Sequence, residues 1–155
     1  MKGSVLMGGM LGFTAVFAGA LWYFQNYAYY EVSKPTDFDL SLTLVDGGEE
    51  VLLANGFEVL TADTSPLKFR ACFQVENSLP MLTETYAAYE NATPLQPPSW
   101  FECFNTREIT EALESGEALA FLAKKNIAEG VDRVVAIYSD GRAFAWHQLN
   151  EQFAE

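Results

Sequence analysis

An α+β domain carried on a single N-terminal transmembrane helix is the fold class that the sequence predicts. Three observations predict it. The stretch from Gly3 to Tyr30 contains no charged residue. Val131 to Tyr138 and Arg142 to Leu149 flank Ser139-Asp140-Gly141, the chemistry of a β-hairpin. Asn105 to Ser115 reads as a capped helix with an apolar stripe, stopped by Gly116. The expected plan is an anchor over residues 1–30, a linker over 31–37 and a small antiparallel sheet domain with one or two helices over 38–155.

The anchor comes first. A bilayer core about 30 Å thick takes about 20 mostly apolar helical residues, and Val5 to Phe24 supplies them. Backbone amides cannot stay unpaired in hydrocarbon, so the segment is helical there despite its glycines. Trp22, Tyr23, Tyr27, Tyr29 and Tyr30 crowd one end, and amphipathic rings favour the headgroup level. Ser4, Gly8, Gly12, Ala15 and Gly19 recur at helical spacing. The packing face expected is Gly8, Gly12, Ala15 and Gly19, because small side chains let another helix approach closely in lipid. The expected partners are therefore transmembrane helices of a larger complex, with membrane lipid around the rest.

A secretory signal is the competing reading, with Lys2 as n-region and Ala18-Gly19-Ala20 as a cleavage site. The apolar run continues through Leu21, Trp22, Tyr23 and Phe24, which favours an uncleaved anchor. Lys2 places the N-terminus in the cytoplasm by the positive-inside rule.

The remainder, residues 31–155, suffices for one domain with a core and is short for two. Of nine Lys/Arg and 21 Asp/Glu, only Lys2 precedes Glu31, leaving the domain at −13. That charge argues against nucleic acid and anionic lipid surfaces and suits a solvated surface or a basic partner. Cys72 and Cys103 form no C-x-x-C motif. In an oxidising compartment they would most simply form one disulfide, stabilising by roughly 3 kcal/mol in chain-entropy terms. Two buried free thiols, or a copper or haem ligand role, are the alternatives.

Along the domain, Pro35 stops helix continuation after a polar connector. Phe38 to Val45 alternates as a half-buried strand, and Asp46-Gly47-Gly48 is a turn. Val51 to Leu60 is apolar and broken by Asn55-Gly56, read as a hairpin turn. Leu67 to Val75 alternates again, with Lys68, Arg70, Cys72 and Gln74 on the polar-looking side, away from the main core. Met81 to Tyr89 suits a short helix, and Thr93 to Trp100 an extended proline-rich loop. Pro97, Trp100 and Phe101 are candidates for surface recognition, since loops carry function disproportionately; plugging the core beside Cys103 is the alternative. Glu117 to Ala123 has helix propensity, but the break at Gly116 favours a strand. The helices are expected on one face of the sheet.

No catalytic constellation is legible. His147 is the sole histidine; beside Trp146 on a strand it is read as structural, since catalysis needs a base–nucleophile or metal constellation around it. The carboxylates are spread out, against a paired-carboxylate glycosidase. Arg133 and Arg142 lie either side of a tight turn and are read as neighbours that pair with acidic side chains or bind a carboxylate. No cofactor and no enzyme activity are expected.

The segments Pro66 to Phe73 (PLKFRACF), Trp100 to Phe104 (WFECF) and Gly130 to Asn150 (GVDRVVAIYSDGRAFAWHQLN) resemble an uncharacterised family of small, single-span, membrane-anchored proteins of alpha-proteobacteria. The resemblance spans most of the chain and implies no activity. It implies a Gram-negative inner membrane, a periplasmic domain and, by association, the respiratory or photosynthetic complexes built there. The expected function is an accessory subunit or assembly factor of such a complex. The alternative is a periplasmic small-ligand-binding or sensory module around Arg70, Trp100 and His147.

Overall fold

The computed structural model describes residues 2–35, 38 and 40–152. Met1, residues 36, 37 and 39, and residues 153–155 lie outside the described residues. They include part of the expected linker and one position of the expected strand from Phe38. The chain divides into two units, Met1–Tyr30 and Glu31–Glu155.

The first unit is one helix, α1 (Gly3–Asn26), none of whose residues is buried. It is long and apolar enough to cross a membrane. At 1.5 Å per residue its 24 residues rise about 36 Å. No atom approaches within 4 Å of a Cβ built on Gly8, Gly12 or Gly19, so the small-residue side is open.

The second unit is an α+β fold built on a sheet of β1 (Tyr30–Ser33), β4 (Ala54–Ala62), β5 (Arg70–Val75), β6 (Ala118–Ala128), β7 (Val131–Tyr138) and β8 (Arg142–Leu149), in the order β1-β4-β5-β8-β7-β6. The pairs β4–β5, β5–β8, β7–β8 and β6–β7 are all antiparallel. A second, two-stranded sheet pairs β2 (Ser41–Thr43) with β3 (Glu49–Val51). Two helices complete the unit, α2 (Leu79–Thr85) and α3 (Thr106–Ser115).

Both faces of the large sheet are covered. On its inner face Ala71, Phe73, Val75, Ala143, Ala145, Val135, Ile137 and Phe121 pack under Leu40, Leu42 and Leu52 of the β2–β3 region and Leu82 of α2. After α2 the chain runs extended as residues 86–89 and hangs the small sheet on β6. Ala87 N–H donates to the Thr43 carbonyl at 2.8 Å, Leu122 N–H to the Ala87 carbonyl at 3.0 Å and Tyr89 N–H to the Ala120 carbonyl at 2.9 Å. On the outer face Arg70, Cys72, Trp146 and Tyr138 are buried beneath α3 and the proline-rich loop. Ala112 of α3 packs with Ala118 and Tyr138, and the Phe104 ring meets the Trp146 ring edge-on at 6.2 Å.

Two expectations are corrected. The two helices lie on opposite faces, not one, because each strand of the central sheet presents a side to bury. Cys72 lies away from the main core, as its alternation predicts, and is buried on the outer face of the sheet. Asn55-Gly56 does not end a strand: β4 runs through it, with a register shift against β5 between Asn55 and Glu58. Gly56, at φ +68, is absorbed as a bulge because β5 supplies pairing on both sides of it. The Met81–Tyr89 expectation is met only as far as Thr85.

Local signals elsewhere match the structure. Asn105 Oδ1 accepts the Glu108 amide hydrogen at 3.3 Å, and Gly116 closes α3 in the left-handed region at φ +82. The segment after it is strand β6, and Ser139-Asp140-Gly141 joins β7 to β8.

Gly141 gives a sharp test of this packing. It sits at φ +94, and a Cβ there would lie 2.6 Å from the Val75 carbonyl oxygen on β5. Gly47 has a similar φ of +97 with nothing within 4 Å. Gly47→Ala is expected to cost about 1 kcal/mol, the left-handed penalty alone. Gly141→Ala adds a backbone clash and is expected to cost about 3 kcal/mol in urea unfolding. Equal losses would contradict the close approach of the turn to β5.

Candidate functional site

A cleft of about 850 Å³ opens where β6 and β8 end and β7 begins, walled on one side by residues 89–95. Its floor is polar and buried: Asp132 is 3%, Asn150 5% and Gln148 7% exposed. Asp132 Oδ2 accepts from the Tyr89 hydroxyl at 2.9 Å. Its Oδ1 accepts from the Asn126 amide N–H at 2.9 Å and from Asn150 Nδ2 at 3.0 Å. No cation among the described residues touches this carboxylate; three donors satisfy it instead. Burial and the bond to Asp132 raise the Tyr89 hydroxyl well above its usual range, so it stays protonated as a donor.

Gln148 stitches the floor to the wall. Its Oε1 accepts from the Thr93 amide at 2.7 Å and from Trp146 Nε1 at 2.9 Å, and its Nε2 donates to the Asn91 carbonyl at 3.2 Å. Leu67, Leu95, Leu122 and Leu149 supply apolar lining, and Glu90, Lys125 and Glu151 stand at the mouth. Sequence reasoning passes over Asp132, Gln148 and Asn150. The signal that finds them is a polar residue at the same end of two strands that are otherwise mostly apolar.

The wall is fixed from behind. Arg70, 4% exposed, donates Nε to the Leu95 carbonyl at 2.7 Å and Nη1 to the Leu67 and Phe69 carbonyls at 2.6 Å each. Its guanidinium lies 5.8 Å from the Phe104 ring centre. One residue pair further along, a disulfide joins Cys72 of β5 to Cys103, with Cα atoms 6.3 Å apart. Pro97 and Phe101 are buried and Trp100 is half-buried. Pro97 and Phe101 are thus not a recognition surface: the arginine and the disulfide pull the loop onto the sheet, and these side chains fill the space beneath it.

His147 lies on the inner face, opposite Arg70, so the two do not converge on one ligand. Arg133 Nε donates to His147 Nε2 at 3.0 Å, and His147 Nδ1 lies 2.5 Å from the Pro66 carbonyl. Since Arg133 can only donate, the ring proton belongs on Nδ1, where it bonds Pro66. The Phe69 ring stacks on the imidazole at 4.4 Å, and the Arg133 guanidinium lies 4.4 Å over Phe69. Burial, and then the Arg133 charge, lower His147 to about 4; burial lowers Arg133 to about 10. Both ring nitrogens are committed, so the imidazole is a tie between β8 and the Pro66–Lys68 turn. Arg142 is not a neighbour of Arg133; it pairs with an acidic side chain as expected, Asp140 at 2.8 Å at the far end of the hairpin, and covers Tyr138. The two arginines are separated because Arg133 pairs with His147 well down the hairpin.

Among the described residues, no three His, Cys, Asp or Glu side chains converge as a metal-ligand set. Gly8, Gly12, Ala15 and Gly19 sit on α1 with no neighbour of their own unit over them. The sequence profile of a family of unknown function (DUF6446) matches residues 40–155. No curated protein and no solved structure matches the chain.

The His147 tie has a pH signature. Its folded value, about 4, lies below the ordinary 6.5. The unfolded chain therefore takes up a proton below pH 6.5 that the folded protein refuses until about pH 4. The stabilisation is fully present above pH 6.5 and is lost on acidification through that window, to the extent of ~3 kcal/mol. Urea unfolding of the wild type and His147→Gln should give a stability difference that shrinks by that amount from neutral pH to pH 4. A difference independent of pH would contradict the neutral, doubly bonded imidazole.

Proposed function

The chain belongs to this family of unknown function (DUF6446), and from its own residues we propose that it is a membrane-anchored periplasmic interaction protein. In this reading it is an accessory subunit or assembly factor of an inner-membrane respiratory or photosynthetic complex, with its N-terminus cytoplasmic. The observation that carries the reading is α1: 24 residues, charge-free from Gly3 to Asn26, with no buried residue and an open face of Gly8, Gly12, Ala15 and Gly19. Lipid satisfies the apolar remainder. A second helix fills a small-residue groove with more dispersion contact than mobile acyl chains do. The disulfide supports an oxidising compartment for the domain, and both ring nitrogens of His147 are bonded internally. The runner-up, a periplasmic small-ligand-binding or sensory module, is favoured by the 850 Å³ cleft alone.

The test is co-purification in mild detergent. Gly12→Ile keeps the segment apolar and able to insert but holds a neighbouring helix away. Phe13→Ile, roughly 100° round the helix, is the matched control. The account expects the partner to be lost with Gly12→Ile and kept with Phe13→Ile. Retention of the partner by both variants would place the attachment elsewhere.

A further inference from the structure

We propose that the cleft between residues 89–95 and the ends of β6 and β8 binds an extended peptide segment of a partner protein, carrying apolar and neutral-to-basic side chains. The proposal rests on the interaction reading above and names what the domain holds. The cavity, about 850 Å³, is within the range of ligand pockets. Among the described residues five polar side chains are buried, and three of them, Asp132, Gln148 and Asn150, line it. Buried polar groups are costly unless they are well satisfied; these three are bonded internally, so they form a fixed floor and leave recognition to the groups at the cleft edge.

The lining selects the chemistry. Asn91, Asn126 and Gln152 present carboxamides at its edge. Among the described residues the Asn91 and Gln152 side chains and Asn126 Nδ2 make no hydrogen bond. A carboxamide offers a donor and an acceptor together, which is what a peptide backbone consumes. Leu67, Leu95, Leu122 and Leu149 provide apolar sites for alternate side chains. Among the described residues at the mouth, Glu90 and Glu151 outnumber Lys125, which disfavours anionic segments and favours basic ones. Among the described residues Tyr89 is the one aromatic lining the cleft, and its hydroxyl is tied to Asp132. A sugar would therefore lack broad ring faces to lie on.

The test uses the full-length protein in detergent micelles, selected against a random short-peptide display library. The enriched sequence, made as a synthetic peptide, is titrated calorimetrically into the wild type and three variants. Leu149→Arg places a bulky cation in the cleft; Leu149 is 44% exposed, so little packing is lost. Glu90→Lys with Glu151→Lys reverses the mouth charge without touching the floor. Val51→Lys, on β3, is the control. Enrichment of leucine-like and basic residues, with affinity about tenfold weaker in both cleft variants and unchanged in Val51→Lys, supports the proposal. No enriched peptide, or one that binds all the variants equally, overturns it. Chitotriose binding that Leu149→Arg abolishes, in place of peptide binding, overturns it in favour of a glycan. The Gly12→Ile co-purification reads α1 and the titration reads the cleft, so failure of one is distinguishable from failure of the other.

Discussion

A single disulfide, Cys72–Cys103, holds the proline-rich loop over the outer face of the six-stranded sheet, and the rest of the domain depends on that closure. β5 is a central strand between β4 and β8, and its outer side carries Arg70 and Cys72. Exposed, that side would be half a polar strand. Covered, it buries a guanidinium, which is tolerable because the same loop brings the Leu95 carbonyl to receive it. For a separation of 31 residues the bond is worth roughly 3 to 4 kcal/mol in chain-entropy terms. The loop it restrains is also the wall of the cleft, through Thr93, Asn91 and Leu95. Covalent closure, buried arginine and cleft geometry are thus one arrangement seen at three points.

The polar groups divide into two kinds of work. Arg70, His147 and Gln148 tie separate segments to the sheet: the loop at Leu95, the turn at Pro66 and the wall at Thr93. Each uses its donors and acceptors internally, and burial keeps His147 neutral. The carboxamides at the cleft edge and the charges at its mouth are the groups left facing outward. This division moves the interest away from the lone histidine and the aromatic loop and towards the end of the β7–β8 hairpin.

Much of the fold was legible because its signals are local. The cap at Asn105, the stop at Gly116 and the Ser139-Asp140-Gly141 turn are read from a few adjacent residues. The failures share a cause: they depend on what lies across space. Asn55-Gly56 has hairpin chemistry, yet a neighbouring strand on both sides converts it to a bulge. Cys72 faces away from the main core as its alternation predicts, but the second layer that covers it is not legible in β5 alone. Pro97 and Phe101 have the composition of an exposed loop and are drawn inward by bonds from β5. The cleft was invisible for the same reason, since Tyr89, Asp132 and Gln148 meet only when the strands pair.

The account ties the closure of the domain to an oxidising compartment outside the cytoplasm, so the state of the two thiols in membranes tests it most directly. Intact membranes are treated with a thiol-alkylating reagent under denaturing conditions without reductant, and the protein is digested and mapped by mass. The account predicts a Cys72–Cys103 linked peptide and no alkylation at either position. Alkylation of both cysteines would contradict it, removing the covalent closure and the argument for the compartment together.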